Sequence, residues 1–99
     1  MAVLTSKQKQ FLKGLAHPLA PVVRVGRGKL KDSVVEETKK SLLAHELIKV
    51  RVDSDDSAER RSIAESLATA TDAAIAGSVG KIVMLYRERE EKPSIKLPR

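Results

Sequence analysis

The residues best suited to chemistry in this 99-residue chain are Gly26-Arg27-Gly28-Lys29. Glycines let a backbone come close to a ligand, and exposed N–H groups at a helix start carry a fixed partial positive charge. Arg27, Lys29 and the nearby Lys31 add full charges. The spacing does not make a nucleotide site. A dinucleotide fingerprint needs a third glycine where Lys31 stands, and a P-loop needs Ser or Thr after Gly28-Lys29, where the chain has Leu30. What remains is a loop that cradles a polyanion; the plain alternative is a glycine turn with incidental basic neighbours. Catalysis has less support. His17 and His45 stand 28 positions apart, and neither has a second ligand at metal spacing. His17 precedes a proline in a basic segment, which suits a phosphate contact or a turn-fixing role. His45 closes a helix, where an imidazole caps terminal carbonyls. Asp53, Asp55 and Asp56 open like a calcium loop, but Ala58 and Ala64 occupy the positions that require Gly and Glu. No enzyme, metal or cofactor is expected.

Charge distribution points the same way. Residues 1–31 carry seven basic side chains and no acid, residues 32–80 sum to −4, and residues 81–99 to +3. A domain with that asymmetry presents a basic face to a polyanion. The candidate contacts are Lys7, Lys9, Lys13, Arg24, Gly26, Arg27, Gly28, Lys29 and Lys31. His17, Lys49, Arg51, Lys81 and Arg87 form a second tier, since their charges also serve to solvate sheet edges. The two aromatics, Phe11 and Tyr86, both stand where a core would use them. Base-stacking platforms are therefore not expected, and binding should rest on phosphate and sugar contacts.

These side chains are positioned by seven elements. Thr5 and Gln8 have capping-box spacing, and Leu4, Phe11, Leu12 and Leu15 recur at helical intervals up to about Ala16. Val22–Val25 is a short β-branched strand. A second helix spans Leu30–Ala44, with Leu30, Val34, Val35, Thr38 and Leu42 along one stripe. Leu47–Val52 alternates Ile48, Val50 and Val52 against Lys49 and Arg51, the pattern of a half-buried strand. Asp56 and Glu59 are set to box the start of a third helix with the stripe Ile63, Ala64, Leu67, Ala68 and Thr71. Ala73–Val79 is a weak strand, Gly80-Lys81 a turn, and Ile82–Arg87 the strongest strand, apolar on both faces and so central. The order α-β-α-β-α-β-β predicts a single compact α/β domain, a four-stranded mixed sheet with three helices, over residues 1–88. Residues 89–99 are expected to form a polar C-terminal tail.

Composition excludes several classes. The chain has no cysteine, hence no disulfide framework or thiolate zinc site. Its longest apolar runs fall far short of the roughly 20 residues that span a bilayer. The N-terminus lacks the basic and apolar regions of a signal peptide. A cytoplasmic monomer with no membrane partner is expected.

Five segments carry a family resemblance: residues 4–23, the Gly26 loop, His45-Glu-Leu-Ile-Lys-Val, Gly80-Lys-Ile-Val-Met-Leu-Tyr-Arg, and Leu97-Pro-Arg. Together, and in order, they resemble the stand-alone bacterial CRM domain, the YhbY-type RNA-binding family; CRM denotes chloroplast RNA splicing and ribosome maturation. The resemblance implies a fold like the C-terminal domain of bacterial translation initiation factor 3. It also implies association with ribosomal RNA in precursors of the large ribosomal subunit, with ribosomal proteins as further partners. The family's Gly-x-x-Gly loop aligns with Gly26–Lys29, so Lys29 stands where the family has its second glycine. In this chain Gly28 is expected to take the strained conformation while Lys29 adds charge. The alternative function is a basic protein-interaction module that docks an acidic ribosomal or assembly-factor partner.

Overall fold

The structure is a computed structural model that describes residues 3–26 and 30–99. Its first helix, α1 (Ser6–Ala16), begins as the capping box requires. Thr5 Oγ1 accepts the Gln8 N–H at 3.1 Å, and Gln8 Oε1 accepts the Thr5 N–H at 3.0 Å. Then follow β1 (Pro21–Val25), α2 (Asp32–His45), β2 (Leu47–Val52), α3 (Ser57–Thr71), β3 (Ala74–Val79) and β4 (Ile82–Tyr86). The strands form one mixed sheet in the order β1-β2-β4-β3, parallel between β1 and β2 and antiparallel elsewhere. The helix count, sheet and element order agree with the expectation from sequence, and β4 lies in the sheet interior.

Alternation along the strands builds two cores. Val23, Val25, Ile48, Val50, Val52, Val83 and Leu85 meet Leu42 of α2 and Ile63 and Leu67 of α3 on one face. On the other, Leu47, Met84, Tyr86, Ala74 and Ala76 meet Leu12 and Ala16 of α1 and the preceding Leu4. The apolar set on α1 is narrower than its periodicity suggests. Leu12 and Ala16, four residues apart, lie on the line of contact, whereas Phe11 and Leu15 sit on its flank and are exposed. Phe11 is thus not a core aromatic; Tyr86 is.

The second core is closed by the C-terminal segment. Residues 88–99 form no helix or strand, yet Ile95 and Leu97 pack against this core, and Gln8 Nε2 donates to the Pro98 carbonyl at 3.0 Å. The anchor is Glu46, the residue that ends α2 with φ +63°. Its N–H donates to the Leu42 carbonyl at 2.8 Å. Its side chain is wholly buried and accepts the N–H of Arg89 at 2.9 Å, of Ser94 at 2.7 Å and of Ile95 at 3.1 Å, with the Ser94 hydroxyl at 2.7 Å. Arg89 Nη1 in turn donates to the Leu43 and Ala44 carbonyls at 3.3 and 3.2 Å. The carbonyl-capping role that the sequence suggested for His45 is therefore filled by Arg89, whose long side chain arrives from the tail.

Burial alone would raise the Glu46 pKa, but the hydrogen bonds from Arg89, Ser94 and Ile95 outweigh it and hold the carboxyl at about 2, against an ordinary 4.5. A folded-state value below the unfolded one means that ionised Glu46 favours the fold. That contribution is complete above about pH 4.5 and is lost as pH falls through about 2. Glu46→Ala strands three N–H groups and should cost about 2–4 kcal/mol. In urea unfolding, the gap between wild type and Glu46→Ala should be widest near neutral pH and shrink steadily on acidification below about pH 4.5.

Candidate functional site

Strand register gathers the basic residues at one end of the sheet. Arg24 pairs with Arg51 and Val25 with Val52 across β1 and β2, while Arg51 pairs with Ile82, which pairs with Val79. The Asp53 N–H donates to the Val25 carbonyl at 2.9 Å and the Val52 N–H to the Lys81 carbonyl at 2.7 Å. Arg24, Gly26, Arg51 and Lys81 therefore share one end, and α2 and α3 both start there. Lys31 is the N-cap of α2 and supplies no side-chain acceptor to it, in contrast to Thr5 on α1 and Asp56 on α3. The first N–H groups of α2 thus carry a partial positive charge without a side-chain cap, with Lys31 before them and Asp32 as the first helical residue. Arg27, Gly28 and Lys29, with the conformation expected of Gly28, lie outside the described residues.

Three aspartates organise this end. Asp53 accepts from Arg24 Nε through Oδ2 and from Arg51 Nε through Oδ1, the latter at 2.8 Å. Arg24 first, then Arg51, hold the Asp53 carboxyl below its usual pKa. Asp55 pairs with Lys81 Nζ at 3.0 Å. Asp56 caps α3, accepting the Ala58 N–H at 2.9 Å and the Glu59 N–H at 3.4 Å. The reciprocal bond expected from Glu59 is replaced: the Asp56 N–H donates to Ser54 Oγ at 3.2 Å. Among the described residues no group of three His, Cys, Asp or Glu is placed to hold a metal ion.

The remaining candidates are dispersed. Lys7 is exposed on α1, and the stem of Lys13 lies across Gly77 of β3, where an added Cβ would fall 2.4 Å from Lys13 Cε. Lys9 lines a surface groove of about 520 Å³ with Ser57, Arg60, Arg61, Ser78 and Gly80. Arg60 and Arg61 were not candidates in sequence, because the helix dipole disfavours cations in a first turn. Here Arg60 Nη1 is tied to the Ser54 carbonyl at 2.7 Å and Arg61 Nε to Glu65 at 3.2 Å. Their position just after the Asp56 cap was the available signal. Lys49 is spent on structure, its ammonium bonding the His17 and Leu19 carbonyls at 3.2 and 2.9 Å. His17 itself ends α1. Arg87 sits at the opposite end of β4 and reaches the Thr71 carbonyl at 3.4 Å.

Fold and site define a class: a small α/β domain with two helix starts and several cations at one end of a mixed sheet. Residues 4–87 match the CRS1/YhbY (CRM) domain. A Haemophilus influenzae protein named "RNA-binding protein" is 46% identical over 99 residues, covering 100% of this chain and 99% of its own. YqeI of Bacillus subtilis is 35% identical over 96 residues, covering 97% and 100%. The solution structure of SAV1595 from Staphylococcus aureus superposes with a TM-score of 0.86 at 33% identity, covering 97% of this chain and 100% of that one. The chain belongs to the CRS1/YhbY (CRM) domain family.

Lys49→Met separates packing from binding. It removes the tie between β2 and the 17–20 linker, and should lower stability by about 1 kcal/mol in urea unfolding. Polyanion affinity should stay within about twofold of wild type, read by fluorescence anisotropy.

Proposed function

We propose that this chain is a non-enzymatic RNA-binding protein that acts on ribosomal RNA in precursors of the large ribosomal subunit, as a cytoplasmic monomer. The observation that carries the reading is the convergence of Arg24, Lys31, Arg51 and Lys81 with the start of α2 at the end of the sheet from which the Gly26 loop departs. A helix start without a side-chain cap, at an end where these cations outnumber the single first-turn acid Asp32 of α2, suits phosphate groups. The family, and the printed name of the Haemophilus influenzae relative, support RNA over other polyanions. The ribosomal target rests on the resemblance to the YhbY type. Of the two aromatics Tyr86 is buried, and Phe11, though exposed, is single, so the surface grips backbone rather than stacking bases.

A protein-docking reading has one observation in its favour. Leu15, Leu19, Val22, Leu47 and Ile95 line an apolar surface groove of about 440 Å³ beside α1.

Binding of a large-subunit ribosomal RNA fragment should fall steeply with salt, with a log–log slope of about −3.5 to −4.5 for about five phosphate contacts. Arg27→Ala/Lys29→Ala should weaken binding about tenfold and make the slope shallower. A slope near zero would sink the RNA reading. Absence of binding by wild type and variant alike would favour the docking groove.

A further inference from the structure

We propose that Arg24, Asp53 and Arg51 form one phosphodiester-binding site, in which the carboxylate positions two guanidinium groups for the same RNA strand. The proposal rests on the RNA-binding reading above and names a contact within it. Arg24 and Arg51 are direct partners across the parallel β1–β2 pair, and both project to the face away from α2 and α3, because their neighbours Val23, Val25, Val50 and Val52 fill the core on that side. Like charges in that arrangement repel. Asp53 stands between them, offers one carboxylate oxygen to each, and leaves the trio with a net charge of +1.

Which nitrogens are used decides the chemistry. Both arginines meet Asp53 through Nε, so the edge formed by the two terminal nitrogens of each guanidinium is not the one that faces the carboxylate. That edge matches two phosphate oxygens in a bidentate contact. Neighbouring strands lie about 4.8 Å apart, so the two forks can address one phosphodiester or two successive ones. The arginine side chains are 72% and 43% exposed, while that of Asp53 is only 20% exposed and its backbone is held by the Val25 carbonyl. A fixed acid thus orients two accessible bases. Arg24 stands two residues before Gly26, at the end of the sheet where β1 finishes.

The inference reverses the sign expected from charge alone. If Asp53 were only a negative charge near RNA, Asp53→Asn would tighten binding. If it positions the arginines, Asp53→Asn weakens binding and makes the salt slope shallower. The test is fluorescence anisotropy with a fluorescein-labelled large-subunit ribosomal RNA fragment. Wild type, Asp53→Asn, R24Q/R51Q and the triple variant form the cycle. Asp53→Asn should weaken binding about fivefold in the wild-type background, and leave it unchanged or tighten it once both arginines are gone. R24K/R51K keeps both charges but lacks the fork, and should also lose about fivefold at unchanged thermal midpoint. Tighter binding by Asp53→Asn, equal loss in both backgrounds, or wild-type affinity in R24K/R51K would each overturn the site while leaving RNA binding intact. Failure of wild type to bind would overturn the functional reading and this site with it.

Discussion

A slip of β2 by one residue would bury Lys49 and Arg51 against α2 and α3 and turn Ile48, Val50 and Val52 to the opposite face. Few errors cost more, since two unpaired charges would enter an apolar core. β2 is also paired on both sides, so its register fixes those of β1 and β4. From that follow the two-sided packing, the alignment of β1 and β2 at their C-terminal ends, and the meeting of Arg24 with Arg51. The surface chemistry of the domain is thus set by what its interior forbids. Even Lys49 serves the interior arrangement, holding the 17–20 linker by its carbonyls.

Charge at this end is tempered rather than maximal. Asp53 and Asp55 each sit beside cations, and Asp56 caps α3. An unrelieved cluster of Arg24, Lys31, Arg51 and Lys81 would repel itself in the free protein. Interleaved acids lower that cost, and those fixed by backbone contacts restrict where the cationic side chains point. The acid-free stretch of 31 residues in the sequence is thus not acid-free in space, because the chain beyond β2 returns aspartates to it.

Features governed by near neighbours were legible from sequence. The Thr5–Gln8 box depends on residues three apart, the alternation of β2 on a period of two, and the central place of β4 on its being apolar on both faces. Features governed by distant partners were not. Phe11 looks like core because a helical stripe says nothing about the width of the surface that covers it. His45 stands where a capping residue belongs, but Arg89 reaches the Leu43 and Ala44 carbonyls from 46 and 45 residues away. Glu59 has box spacing, yet Ser54 answers the Asp56 N–H from before the cap. The basic end was readable as composition, whereas the pairing of Arg24 with Arg51 needed the register of a parallel pair.

Glu46 gives the domain a direction in time. Its carboxylate is completed by Ser94 and Ile95, which leave the ribosome long after it does: 48 residues separate Glu46 from Ser94. At roughly 5–20 residues per second, the nascent chain waits about 2–10 s between making this buried acid and making the groups that satisfy it. From the synthesis of Tyr86 until that of Leu97, the face that carries Leu12, Met84 and Tyr86 lacks the cover of Ile95 and Leu97. The first core draws on no residue beyond Leu85, whereas the second needs the chain as far as residue 97. A chain cut after Arg87 would therefore keep the residues of its first core, while Glu46 would lose its three backbone donors and the second core the cover of Ile95 and Leu97.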